Sequence, residues 1–104
     1  MPEEEITLDQ LIMQIRAVAD KAMLSNDPEI KLHGEDLRAS ADALTGVAMN
    51  ARTPTYEAAK ATLKAETVKA QKALQDIKDT IATVGALTGL ANAITKVIGA
   101  LTPG

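Results

Sequence analysis

From Ile81 to Leu101 the chain reads IATVGALTGLANAITKVIGAL, a stretch in which only Asn92 and Lys96 are strongly polar. Apolar residues fall at Ile77, Ile81, Val84, Leu87, Ala91, Ile94, Ile98 and Leu101. Their spacing alternates between three and four, the period of one helix face, so the stretch is expected to be helical. Leu90 and Val97 widen that face, and Gly85 and Gly89 form a GxxxG that lets a neighbouring helix approach closely.

Three surroundings suit such a helix. It can be a core or oligomer-forming helix of a bundle, where close packing offsets the roughly 1 kcal/mol that each glycine costs in helix propensity. It can meet a membrane, since about 20 residues at 1.5 Å rise span a hydrocarbon core. Asn92, Lys96 and the many Thr, Ala and Gly residues weaken that second reading, because they contribute little transfer energy, although Lys96 lies near one end and can snorkel. In the third reading the helix breaks at Gly85 or Gly89 and folds back on the element before it.

Charge is graded along the chain. Residues 1–52 carry ten acidic and five basic side chains, residues 53–79 four and five, and residues 80–104 only Lys96. A bundle helix ordinarily keeps a polar outer face. The last helix has only Thr, Asn and one Lys for that purpose, so it is expected to be covered by something. The candidate partner or lipid interface is therefore Ile81, Val84, Gly85, Leu87, Gly89, Leu90, Ile94, Val97, Ile98 and Leu101.

The remaining sequence predicts a small all-α antiparallel bundle of three to four helices in a single domain, with helices over about 7–24, 28–51, 54–84 and 86–101. Thr7-x-x-Gln10 reads as a capping box with Ile6 and Leu11 as its staple, and Leu8, Leu11, Ile12, Ile15, Val18, Ala19, Ala22 and Met23 form the first apolar stripe. Arg16 and Asp20 stand four apart, a pairing worth about 0.2–0.5 kcal/mol. Asp27-Pro28 is a cap followed by a first-turn proline. The second stripe is Ile30, Gly34, Leu37, Ala41, Leu44, Ala48 and Ala51. Gly34, Ala41 and Ala48 mark close helix packing in the manner of a coiled coil, because every second contact is small.

Thr53-Pro54 repeats the cap signal, and Tyr56, Ala59, Leu63, Thr67, Ala70, Leu74, Ile77 and Ile81 make the third stripe. That stripe passes Gly85 without a phase slip. An unbroken helix from Pro54 to Leu101 would be about 70 Å long at 1.5 Å per residue and would overhang the other two. A bend at Gly85 gives a self-contained four-helix bundle instead.

Composition narrows the function classes. One His, no Cys and no Gly-rich phosphate loop remove most nucleophilic, metal and nucleotide sites, so neither an enzyme nor a cofactor is expected. Glu29 and His33 lie on adjacent helical turns, but no second His or Cys completes a metal site. The net charge of −3, one aromatic residue and scattered lysines exclude a nucleic-acid surface. MPEEEI has neither the basic nor the apolar region of a signal peptide, which leaves the cytoplasm as the default compartment. The expected function is assembly: self-association into a homo-oligomer, or docking of another protein's helix, through the uncharged end. The alternative is a protein that inserts into or binds lipid through residues 81–101.

Overall fold

The computed structural model describes residues 8–45, 54–77 and 79–101, of which 92% are helical. The protein is an all-α bundle of four helices: α1 (Leu8–Met23), α2 (Pro28–Thr45), α3 (Pro54–Gln75) and α4 (Thr80–Leu101). The cap assigned to Thr7, and Ala48 and Ala51 of the second stripe, lie outside the described residues.

Two helical hairpins are stacked. α1 packs on α2 and α3 on α4, and the hairpins meet through α1 with α3 and α2 with α4. Among the described residues, α1 makes no contact with α4, nor α2 with α3, so these pairs occupy the diagonals. The helices that meet across the seam come together at like ends. The C-terminal turns of α1 and α3 lie together around Ala17, Val18, Lys21, Gln71, Leu74 and Gln75, and the first turns of α2 and α4 are joined by a hydrogen bond between Asp27 and Thr80. The short axis of the molecule is 18 Å, the thickness of two helix layers.

The first two stripes face the core along their described length, and the third does so as far as Leu74, whereas Ile77 and Ile81, which the spacing places on it, are exposed. Leu8, Leu11, Ile12, Ile15, Val18, Ala19 and Ala22 of α1 are buried, with Ile30, Gly34, Leu37, Ala41 and Leu44 of α2 and Tyr56, Leu63, Thr67, Ala70 and Leu74 of α3. The buried Thr67 hydroxyl is satisfied by donating to the Leu63 carbonyl at 2.7 Å. Gly34 lets α2 lie close against α1: a Cβ there would lie 2.8 Å from the Ala22 Cβ and 2.9 Å from the Ala19 carbonyl oxygen.

Two local expectations are corrected. Arg16 does not pair along its own helix with Asp20. It reaches across the hairpin to Asp42 at 2.9 Å, and donates to the Thr45 hydroxyl at 3.3 Å, while Asp20 binds Arg38. Asp42 and Thr45 of α2 both face Arg16, and Asp20 is already engaged by Arg38, so the pairing runs across the hairpin. The second correction is the break between the last two helices, expected, if the helix breaks, at Gly85 or Gly89. α3 ends at Gln75 and α4 begins at Thr80, so both glycines lie inside α4 and the 70 Å helix does not form.

Asp79 sets that start. Its Oδ1 accepts from the Ile81 amide at 2.9 Å and its carbonyl from the Thr83 amide at 3.0 Å, which makes it the N-cap of α4.

Candidate functional site

α4 occupies a corner of the bundle, so two neighbours cover it and one side remains. Thr83, Leu87, Leu90, Ala93, Ile94 and Val97 are buried. Val84, Ala91, Ile98 and Ala100 are partly covered against the core. The stripe that the alternating spacing picks out is therefore turned. Leu90 and Val97, at its margin in the sequence reading, lie fully inside, and Ile81, on it, is 80% exposed. Burying Leu87, Leu90, Ile94 and Val97 together removes the most aliphatic surface from water, at about 1.5–3 kcal/mol for each fully buried side chain, and this fixes the rotation of the helix.

The opposite face of α4 is open: Ile81, Gly85, Thr88, Asn92, Thr95 and Gly99 form one exposed row spaced four, three, four, three and four apart, with Ala82 and Lys96 beside it. Lys96 is the one charge on that face. The exposed sides of the other helices carry Asp9, Asp20 and Lys21 on α1, Glu35, Asp36 and Arg38 on α2, and Lys64, Lys69 and Lys72 on α3. The uncharged surface continues onto the start of α3, where Thr55, Ala58 and Thr62 line a shallow groove with Lys96 and Gly99.

The three glycines of α4 differ in surroundings. A Cβ on Gly85 or Gly99 would meet no atom within 4 Å. A Cβ on Gly89 would lie 3.1 Å from Oε2 of Glu66, whose carboxylate packs over this turn and stands 3.8 Å from Lys69 Nζ. The GxxxG pair is thus divided: Gly89 serves the contact with α3, and Gly85 faces outward.

Of the residues proposed for an interface, the bundle itself covers Leu87, Leu90, Ile94 and Val97 and half-covers Val84, Gly89 and Ile98. Ile81 and Gly85 are free, and the side chain of Leu101 lies outside the described residues. Gly34 and Ala41 are buried between helices, and Ala48 is not among the described residues. Thr88, Asn92, Thr95 and Gly99 belong to the open face although an apolar pattern does not select them; their shared spacing was the signal. Among the described residues no three His, Asp or Glu side chains gather at a metal site, and His33 is half-buried on α2.

No protein-family model, curated protein or solved structure matches the chain.

Proposed function

We propose that the protein is a non-enzymatic assembly module, and that the open face of α4 is where it joins a second copy or another protein's helix. The observation that carries this reading is the row Gly85, Thr88, Asn92, Thr95 and Gly99, uncharged and exposed on a bundle whose other outer faces are charged. Gly85 and Gly99 strengthen it. Each costs about 1 kcal/mol of helix propensity relative to Ala, and neither has an intramolecular neighbour that needs the space. A helix laid along this row would approach the α4 backbone closely, with Thr and Asn hydroxyls and amides able to bond across it.

Sedimentation equilibrium over a wide concentration range tests the reading. The wild type is expected to reach a discrete oligomer, and Gly85→Leu and Gly99→Leu to shift it towards monomer with helicity unchanged. These positions are preferable to Gly89, where a larger side chain also displaces Glu66. A wild-type chain that stays monomeric, alone and with candidate helical partners, would sink the proposal.

A second reading has its own support. Thr80–Ala100 has the length and mean hydropathy, 1.5, of a membrane-crossing helix, and only 33% of that window is buried. Under this reading the protein binds lipid through α4, beginning at Ile81. Ile81→Glu is then expected to abolish flotation with liposomes without disturbing the core, whereas a charge at Leu90 or Ile94 would break the bundle itself. Flotation unaffected by Ile81→Glu would count against a lipid contact there.

A further inference from the structure

The two hairpins are tied at their turns by one side chain. Asp27 ends the α1–α2 turn, and its two carboxylate oxygens have separate partners. Oδ1 accepts from the Glu29 and Ile30 amides at 2.9 and 3.3 Å and so caps α2. Oδ2 accepts from the Thr80 hydroxyl at 2.9 Å, reaching the first residue of α4. The Asp27 amide in turn donates to Ser25 Oγ at 3.1 Å, which steadies the residue. Because α2 and α4 both begin at this point, the positive ends of two helix dipoles converge on one partly buried carboxylate.

We propose that Asp27 is a catch between the two hairpins, closed while its carboxylate is ionised and released when it takes up a proton. An ionised carboxylate accepts at both oxygens. A protonated one gives part of that capacity to its own O–H and loses its attraction to both helix ends. Release frees the head of α4 from α2 and loosens the seam over Thr83 and Leu87, the first buried residues of α4. The catch would act whether α4 meets protein or lipid.

The acidity of Asp27 is in line with this geometry. The Thr80 hydroxyl is the main influence holding its pKa below the ordinary 3.8, burial acts in the opposite direction, and the Ile30 and Glu29 amides lower it further. A folded pKa below the unfolded one means that the group stabilises the bundle above the unfolded value, and that this contribution disappears as pH falls through the folded value. The charged groups around the turns are Asp20 and Lys21 at the end of α1, Glu29 and Lys31 in the first turn of α2, and Asp76 and Asp79 between α3 and α4, with Lys78 beside them in sequence. Asp20 is engaged with Arg38, and Asp79 turns its carboxylate to the Ile81 amide. Among the described residues, hydrogen bonds and not an ion pair hold the catch.

Nuclear magnetic resonance on the full-length chain tests it, by following the Asp27 carboxyl carbon and the Thr80 and Ile81 amides through acid titration. The amide signals are expected to move with Asp27. Thr80→Val should bring the Asp27 titration up towards its ordinary position, and Thr80→Ser should restore it. At neutral pH, Thr80→Val should make amide exchange in the first two turns of α4 several-fold faster, an effect that fades once Asp27 is protonated. Thr80→Ala, which leaves the α2 cap in place, should give both effects as well, so it carries the test should the valine variant fold poorly. An Asp27 titration unmoved by Thr80→Val overturns the catch. So does a titration that moves while exchange in α4 stays the same, because the bond would then hold nothing.

Discussion

Gly34 and Ala22 meet inside the first hairpin, with the Ala22 Cβ 2.8 Å from the place a Gly34 Cβ would take. The other near atoms are backbone, the Ala19 carbonyl oxygen at 2.9 Å and the Met23 nitrogen at 3.0 Å, and backbone gives way only if α1 moves as a whole. Alanine at position 34 would gain about 1 kcal/mol of helix propensity, but crowding a packed core costs about 1–3 kcal/mol and usually more when the neighbour is rigid. Gly34→Ala is therefore expected to lower stability by about 1–2 kcal/mol, read as a lower urea midpoint with an unchanged slope.

Gly85→Ala should do the reverse. Open space surrounds the new methyl group, so only the propensity gain remains, and the monomer should become more stable by about 0.5–1 kcal/mol. Unfolding followed at low protein concentration measures this free of any association. Gly89→Ala falls between the two, because the Glu66 carboxylate that it approaches is the end of a flexible side chain and can swing aside.

Tyr56 gives the protein an alkaline limit. It is 4% exposed, and burial, with a smaller push from the Glu57 charge, raises its phenol pKa above 10.0. The folded chain then holds a proton that the unfolded chain has released. Stability from this group is intact below pH 10 and falls as pH rises through the folded value. As the chain has one tyrosine, tyrosinate absorbance reports the group directly. The titration should lie above that of the urea-unfolded chain, and Tyr56→Phe should flatten stability above pH 10.

The ion pairs of the first hairpin should matter little. Arg16 and Asp42 have side chains 40% and 59% exposed, and pairs this wet contribute at most about 1 kcal/mol. Asp42→Asn is expected to cost no more than that, with a smaller cost at 1 M salt; thermal melts at two salt concentrations check it.

Most of the fold is legible in the sequence where apolar and charged residues alternate at helical spacing. The stripe from Leu8 to Ala22 and the one from Ile30 to Leu44 are buried as their spacing requires, and the Asp27-Pro28 cap starts α2. The break before α4 is not legible in this way. Ile77 and Ile81 continue the three-four rhythm across it, and neither Gly nor Pro interrupts the run. In the folded chain these two isoleucines flank the turn and are 43% and 80% exposed, and the cap of Asp79, a residue easily read as one more surface charge, decides the boundary. The orientation of α4 was hidden for a related reason. With hardly a polar residue to mark an outside, periodicity names a helix without naming its inner face, and the choice falls to the neighbours that pack against it. The same lack of contrast makes Thr88, Asn92 and Thr95 look like filler in the sequence, although they lie on the side of α4 that solvent reaches.

The diagonal placement of α2 and α3 has a kinetic consequence. Each hairpin joins helices that are neighbours in sequence, and every contact between hairpins joins helices separated by at least one other. Contacts local in sequence close fastest, because little loop entropy opposes them. Two hairpins can therefore form early and independently, leaving their docking as the late step. Substitutions on the seam would then mainly hasten unfolding, while those inside a hairpin would slow folding. Late docking also leaves a newly made chain free, for a time, to pair its first hairpin with the second hairpin of another copy.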